Sequence, residues 1–137
     1  HIISRDTPEQ AWAEADRLLR EVPRETIEKA QKQLQKSESV GQARMRALRQ
    51  SNTFNDVRDL EVYPNLWTGI GLVRGGAGTA IVGSHEQVAE RIEQLHTLGI
   101  SSFILSGYPN LEEALNVGEE VVPLLNSNTP VRAVAGA

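Results

Sequence analysis

The alternation of buried-type strands with capped amphipathic helices constrains the fold of this chain more than any other feature. Residues 79–83 (TAIVG) form a short apolar run, which is typical of a strand buried on both faces. Ser84 and Gln87 then form a capping box for an amphipathic helix, and Gly99 ends that helix. A second apolar run, residues 100–106 (ISSFILS), follows at once. Consecutive strand–helix units produce parallel strands with right-handed crossovers, so this order predicts a parallel sheet covered by helices.

The N-terminal part of the chain is organised in the same way. Residues 1–4 (HIIS) resemble the end of a buried strand, and Thr7 with Gln10 forms another capping box. The helix that begins there carries Trp12 on its apolar stripe, which predicts a core position for that ring, and it ends at Pro23. Further helices are predicted at three places: from residue 25, over residues 40–48, and after a turn at residues 107–110, where Asn110 is the cap.

The complete order of elements points to part of a barrel. It reads strand, helices, a long loop or insertion over residues 50–79, strand, helix, strand and helix. Three strands make a poor free-standing sheet, whereas eight parallel strands with their helices close into a barrel of typically about 250 residues. The sequence therefore predicts an α/β fold in which residues 1–126 are the C-terminal part of a TIM (β/α)8 barrel, with about three parallel strands. The chain is accordingly expected to be a piece of a longer protein, and residues 127–137 are expected to be disordered.

Composition and charge narrow the function classes. The 137 residues include no cysteine, which excludes disulfides, thiolate nucleophiles and cysteine-based metal sites within the chain and is compatible with the cytoplasm. The formal net charge is −4 and the basic residues are scattered, which argues against nucleic acid and anionic membrane surfaces as partners. No apolar run approaches the roughly 18 residues of a membrane span. The three histidines lack metal-ligand spacing, so no metal site is predicted, and no Ser/His/Asp arrangement is supported.

Other titratable side chains are assigned to structural positions. His85 and His96 lie in or beside the helix after the second strand, and surface or capping positions are expected for both. The carboxylates of the last helix fit its solvated side; they are Glu112, Glu113, Glu119 and Glu120.

Three residues stand where barrel enzymes place their chemistry, at the C-terminal ends of strands and in the adjoining loops. His1 flanks the first strand, Arg74 lies in the loop before the second, and Tyr108 follows the third. Arg74 offers a permanently charged planar fork suited to sulfonate, phosphate or carboxylate oxygens, and Tyr108 can donate a hydrogen bond or a proton. Each has a plainer alternative: an exposed arginine on a flexible turn, a tyrosine half-buried before a proline, and a structural histidine.

The loop around Arg74 (GLVRGGAGT, residues 71–79) is rich in glycine. Gly71, Gly75, Gly76 and Gly78 remove side-chain bulk and permit unusual backbone angles, so this loop is predicted to open and close. Two nucleotide-binding motifs fail on the same stretch. The last glycine of G-x-G-x-x-G falls one residue late, and Ala77 with Gly78 stands where a P-loop requires Lys followed by Ser or Thr.

Three longer stretches together resemble a known family. They are HIISRDTPEQAWAEADRLL, PNLWTGIGLVRGGAGTAIVGS and LGISSFILSGYPNLEEALNVGEEVVPLL. The sequence resembles the C-terminal portion of the bacterial flavin-dependent alkanesulfonate monooxygenases, which belong to the luciferase-like barrels. The resemblance implies a (β/α)8 barrel, frequently a dimer or tetramer. It also implies that a separate NAD(P)H-dependent reductase supplies reduced FMN (FMNH2), which reacts with O2 to cleave an alkanesulfonate into an aldehyde and sulfite.

The resemblance also assigns roles to individual residues. Arg74 matches the mobile-loop arginine that shields the reduced flavin and faces the anionic substrate, Tyr108 matches an active-site tyrosine that also faces the substrate, and His1 matches a strand-end histidine beside the cofactor. Most of the family's flavin-phosphate contacts, its active-site cysteine and an arginine just before the histidine have no counterpart in this sequence. The loop at residues 50–58 is a few residues longer than the family pattern.

Two other functional hypotheses stay open at this point. The chain by itself is expected to lack enzymatic activity, and as an inactive barrel fragment it would cover its exposed edges by forming a homo-oligomer. Alternatively, it is a module that binds flavin or another small molecule without oxygen chemistry.

Overall fold

The computed structural model describes residues 1–49 and 54–125. The predicted disordered tail at residues 127–137 lies outside these ranges. The strands are β1 (Ile2–Arg5), β2 (Glu61–Tyr63), β3 (Leu66–Trp67) and β4 (Ala80–Ser84). The α-helices are α1 (Pro8–Arg20), α2 (Arg24–Gln35), α3 (Val40–Ala47), α4 (His85–Thr97) and α5 (Asn110–Asn116). Short 3-10 turns cover Val57–Leu60, Gly69–Leu72 and Val122–Leu124, and a π-helical segment covers Val117–Val121.

The strands form one mixed sheet with the order β1-β4-β3-β2. β1 and β4 are parallel, with Ile2 opposite Ile81 and Ile3 opposite Val82. The prediction of parallel strands is confirmed for this pair. β3 is antiparallel to β4, and β2 is antiparallel to β3. The described chain is therefore a mixed α/β structure with a four-stranded mixed sheet and five α-helices.

The β2–β3 hairpin corrects the prediction of a long loop over residues 50–79. Its strands contain 3 and 2 residues, too few for the period-two pattern that reveals a strand in a sequence. Tertiary contacts hold it instead, because the buried Trp67 donates from Nε1 to the carbonyl oxygen of Val57 at 3.0 Å. The Oγ1 and backbone N of Thr68 both donate to the carbonyl oxygen of Leu60, at 2.9 Å each.

The predicted third strand, residues 100–106, is wrong. These residues form no strand, although the backbone N of Ile2 donates to the carbonyl oxygen of Ser106 at 2.8 Å, at the free edge of β1. Ile104 is 99% exposed, and Ile100 and Leu105 are exposed as well. An apolar run becomes a strand only where a ladder and a covering layer receive it. The predicted set of about three parallel strands is thus one parallel pair extended by an antiparallel hairpin.

Helix ends follow the local sequence signals closely. Both predicted capping boxes are present, at Thr7 with Gln10 and at Ser84 with Gln87. Gly99 has φ 94° just after α4, in the conformation that favours glycine, so its predicted role is confirmed. The predicted cap at Asn110 is wrong, because Asn110 is the first residue of α5 and Pro109 precedes it without a side-chain cap.

The β1–β4 pair separates two apolar clusters, because alternate residues of a strand point to opposite faces. Ile3 and Val82 pack with α1, including the buried Trp12, so the predicted core position of that ring is confirmed. Ile2 and Ile81 pack with α4 and with the π-helical segment on the other side. No helix in the described ranges is both long and apolar enough to cross a membrane.

Candidate functional site

The structure brings together the three residues singled out from the sequence. The Nη1 of Arg74 donates a hydrogen bond to the hydroxyl of Tyr108 at 2.5 Å, across 34 residues of chain. The ring of His1 stacks on the ring of Tyr108, with centroids 5.5 Å apart and an interplanar angle of 27°. The cluster formed by His1, Arg74 and Tyr108 therefore joins the start of β1, the glycine-rich loop and the segment before α5. His1 precedes β1 and the loop precedes β4, so the cluster lies at the N-terminal end of this parallel pair and not at the C-terminal ends of strands, where it was expected.

Different elements hold His1 and Tyr108 in place. The Oγ of Ser106 is 2.8 Å from Nδ1 of His1, and the carbonyl oxygen of Ser106 accepts from Ile2 at the edge of β1. Tyr108 follows Gly107, which is buried against α5 so closely that a Cβ there would lie 2.4 Å from the Cβ of Glu113. Glycine at this position lets the segment approach α5 and directs Tyr108 toward His1. Ser106 was missed as a site residue, because only the tertiary contact with His1 reveals it.

The cluster presents positive charge and a hydroxyl donor to solvent. Arg74 is exposed, Tyr108 is 41% exposed, and no carboxylate in the described ranges lies within 4.0 Å of the Arg74 guanidinium. A guanidinium can only donate, so the Tyr108 oxygen accepts and its own hydrogen stays available for another acceptor. The remaining guanidinium donors and this hydroxyl together suit an anionic, oxygen-rich ligand.

Glycine is required at several positions of the loop, for different structural reasons. Gly76 has φ 83°, which favours glycine. Gly71 and Gly78 lie side by side, and a Cβ on Gly78 would be 2.8 Å from the Cα of Gly71. Gly75 packs against Leu34 of α2, where a Cβ would meet Cδ2 at 3.2 Å. The loop is therefore anchored at its base and side in this conformation, and its opening stays a prediction.

Buried polar side chains beside the loop were missed from the sequence. Gln31 is 6% exposed, Gln42 7% and Arg49 9%, and all three lie between the helices and the loop. A signal for Gln31 was present, since it lies four residues after the buried Ile27 on the apolar face of α2. Burial, together with the charge of Arg46, lowers the pKa of Arg49. The guanidinium nonetheless stays charged at neutral pH.

A Ser/His/Asp chain, which the sequence did not support, is present at the other end of β1. Nδ1 of His85 is 2.7 Å from the Oγ of Ser4, and its Nε2 is 3.2 Å from Oδ1 of Asp6. The surface or capping position expected for His85 is corrected, because its ring is buried and joins β1 to α4. Ser4 is 0% exposed, so no substrate reaches its hydroxyl and the chain of hydrogen bonds is a structural tie. His96 hydrogen-bonds the carbonyl oxygen of Ile100 near the end of α4, as its capping position predicts.

The expected solvated position of Glu113 is also wrong. Glu113 is 3% exposed, and its Oε1 lies 2.7 Å from Nη1 of Arg5. Burial raises the pKa of Glu113, although the neighbouring Arg5 acts in the opposite direction. This ion pair and the hydrogen bond from Asn116 to the carbonyl oxygen of Ser4 at 2.7 Å fasten α5 to β1. Together they place the segment that carries Tyr108.

Comparison with known protein families identifies the family to which this chain belongs. Among the described residues, no group of three or more His, Asp or Glu side chains is arranged to hold a metal ion. A family model described as luciferase-like monooxygenase matches residues 1–102 of the 137-residue chain. The matched range contains His1 and the Arg74 loop, whereas Tyr108 follows it. The chain belongs to the luciferase-like monooxygenase family.

Proposed function

We propose that this chain is part of a two-component flavin-dependent monooxygenase that desulfonates alkanesulfonates. One alkanesulfonate, one O2 and one FMNH2 give an aldehyde, hydrogen sulfite, FMN and water. One oxygen atom of O2 enters the aldehyde and the other leaves as water. Family membership supports the monooxygenase chemistry. The observation that carries the sulfonate assignment is the contact between Arg74 and Tyr108, which presents a cation without a carboxylate partner in the described ranges beside a hydroxyl donor.

The proposed fold of the whole enzyme is a (β/α)8 barrel, of which residues 1–126 form the C-terminal part. Two strand–helix units support this proposal, namely β1 with α1 and β4 with α4, because their strands are parallel and adjacent. The side chains of Ile100, Ile104 and Leu105, in the segment that leads to Ser106 at the edge of β1, are exposed and apolar, as expected of a surface that further barrel elements cover.

In this proposal each residue of the cluster has a separate task. Arg74 binds the sulfonate through charge-assisted hydrogen bonds and, with its loop closed, excludes water from the substrate. Tyr108 donates its hydroxyl hydrogen to an oxygen of the substrate or of the departing sulfite. The imidazole of His1, fixed by Ser106, contacts the cofactor. When bound, FMNH2 supplies the two electrons that the reduction of O2 requires, and a separate NAD(P)H-dependent reductase delivers it.

Arg74 gives the most direct test. Arg74→Ala in the full-length enzyme should lower kcat/KM for a linear alkanesulfonate about 10- to 100-fold, the loss expected for a hydrogen-bonded charge. Arg74→Lys keeps the charge but loses the planar fork, and an intermediate rate is expected. Sulfite release is measured in a reductase-coupled assay with NADPH, FMN and O2. Arg44→Ala is the matched control, because Arg44 is exposed on α3 and takes no part in the contacts that join His1, Arg74 and Tyr108. Equal rates for Arg74→Ala and Arg44→Ala would refute the assignment.

A second candidate is a homo-oligomeric form of the chain that lacks enzymatic activity. The exposed apolar residues near the edge of β1 favour it, because pairing of two copies would cover them. Sedimentation of the isolated chain distinguishes the two ideas, and a well-behaved monomer would count against the oligomer. Flavin binding without sulfite release by the full-length protein would instead favour a binding module.

A further inference from the structure

The Arg74 loop is a closed structure with Arg74 near its tip. The backbone N of Gly71 donates to the carbonyl oxygen of Gly78 at 2.9 Å, which closes the base of residues 71–78. The backbone N of Arg74 donates to the carbonyl oxygen of Ile70 at 3.2 Å. These internal bonds shape the loop, but they do not fix its position relative to the rest of the chain. Other residues must hold it against α2 and α3.

Gln31 of α2 holds one side of the loop. Its Nε2 donates to the carbonyl oxygens of Leu72 at 2.6 Å and Gly71 at 3.2 Å. Nη2 of Arg49 donates to the Oε1 of Gln31 at 3.1 Å. Because a guanidinium has no acceptor, Arg49 requires the amide oxygen of Gln31 to face it, and the amide nitrogen must then face the two carbonyls. The orientation of the buried Gln31 amide is thereby fixed.

Gln42 of α3 holds the other side. Its Oε1 accepts from the backbone N of Gly76 at 2.9 Å, two residues beyond Arg74. Gln31 therefore acts as a donor before the tip of the loop, and Gln42 acts as an acceptor after it. Two buried amides of opposite hydrogen-bonding sense bracket Arg74, and each lies on a different helix.

We propose that Gln31 and Gln42 are positioning residues that hold the loop in the conformation in which Arg74 reaches Tyr108. Neither touches Tyr108 in the hydrogen bonds of the described residues; each acts through the backbone of the loop. The consequence for substrate affinity rests on the proposed function, but the effect on the loop does not. A buried hydrogen bond contributes about 1 kcal/mol net, so the loss of either one should open its side of the loop about fivefold more often.

Hydrogen-exchange mass spectrometry on the full chain tests the proposal. Gln31→Met and Gln42→Met remove the hydrogen bonds at similar volume, and exchange of amides within residues 71–78 should rise about fivefold in both. Gln33→Met is the matched control, because Gln33 is exposed on the same helix as Gln31. Peptides from α4 report whether the rest of the fold is intact. Equal exchange of the loop in the two Met variants and in the control would overturn the proposal.

Glutamate substitutions distinguish the donor role of Gln31 from the acceptor role of Gln42, and they remain informative if a Met variant unfolds. Gln42→Glu keeps an oxygen acceptor for Gly76, so loop exchange should stay within twofold of the original. Gln31→Glu loses the donor and turns a carboxylate toward two carbonyls, so loop exchange should rise. Equal effects of the two substitutions would overturn the donor and acceptor assignments.

Enzyme kinetics then separates the two proposals. In the full-length enzyme, Gln31→Met should raise KM for 1-hexanesulfonate more than it lowers kcat, because it misplaces a group that binds the substrate. A full-length enzyme that releases no sulfite would refute the proposed function, while the loop exchange would still test the positioning role. Loop exchange equal to that of the control would refute the positioning role, whatever the activity.

Discussion

Replacing Gly78 with alanine should loosen the base of the Arg74 loop. A Cβ at residue 78 would lie 2.8 Å from the Cα of Gly71 and 3.3 Å from its N, whereas ordinary contacts begin at 3.4 Å. Both obstructing atoms belong to the backbone, so no change of rotamer relieves the contact. The two sides of the loop base must separate by about 0.6 Å, and the hydrogen bond from Gly71 to the carbonyl oxygen of Gly78 spans that gap.

The expected magnitude follows from two opposing effects. Overpacking of this kind costs about 1–3 kcal/mol in the folded state. Replacing glycine with alanine also lowers the conformational entropy of the unfolded chain, which raises the free energy of unfolding by about 0.4–1 kcal/mol. The net loss should be about 1–2 kcal/mol of the free energy of unfolding. For a chain of 137 residues this corresponds to a fall in Tm of about 3–8 °C.

Urea unfolding, followed by the fluorescence of the two tryptophans, measures this loss. Gly118→Ala is the matched control, because a Cβ at Gly118 meets no atom within 4 Å and its φ is not positive. It keeps the effect on the unfolded chain and should leave stability unchanged or slightly higher. Gly76→Ala isolates strain, since its Cβ has free space but its φ is 83°, and about 1 kcal/mol of loss is expected. If Gly78→Ala were as stable as Gly118→Ala, the close approach of Gly71 and Gly78 would not exist as described.

Two further predictions concern the core and the buried carboxyl. Trp67→Phe should lower the free energy of unfolding by about 2–4 kcal/mol, because it leaves a cavity and removes the hydrogen-bond donor to the carbonyl oxygen of Val57. Trp12→Phe should lower it by less in the same urea titration, and the reverse order would contradict this prediction. Burial raises the pKa of Glu113 above its ordinary value of 4.5, so the folded chain binds that proton more tightly than the unfolded chain does. The free energy of unfolding should therefore fall as the pH rises from 4.5 through the higher folded pKa, and Glu113→Gln should flatten that decline; an unchanged slope would refute the assignment.

The parts of the fold that local sequence determines were predictable. A capping box needs only two residues three positions apart, and both predicted boxes are present. The buried strands near residues 2–5 and 80–84 were equally clear, because a continuous apolar run between turn signals is a local property. These signals require no knowledge of what packs against the segment.

The parts that depend on a partner were not predictable. Residues 100–106 have the composition of a buried strand, but a strand exists only where it forms a ladder with a neighbour. Here the backbone N of Ile2, at the free edge of β1, donates one hydrogen bond to the carbonyl oxygen of Ser106. Conversely, β2 and β3 are too short to show periodicity and are held by Trp67 and Thr68. Glu113 has the sequence character of a solvated residue but is buried, and it pairs there with Arg5, which is distant in the sequence.

In the candidate site, too, residues with distinctive chemistry could be singled out from the sequence, whereas the residues that hold them in place could not. Side-chain chemistry and position along the chain indicated His1, Arg74 and Tyr108 as candidates, and the structure brings these three side chains together, while their roles stay predictions. Their supports could not be selected in this way, since Ser106, Gln31 and Gln42 resemble ordinary surface residues in the sequence. In the structure Ser106 hydrogen-bonds His1, while Gln31 and Gln42 hydrogen-bond the backbone of the Arg74 loop. The hydrogen bond between Arg74 and Tyr108 connects these two parts of the site. A substitution of Gln31 or Gln42 should therefore disturb the Arg74 loop first, and a substitution of Ser106 should disturb His1 first. Each should affect the other part of the site only through the Arg74–Tyr108 contact.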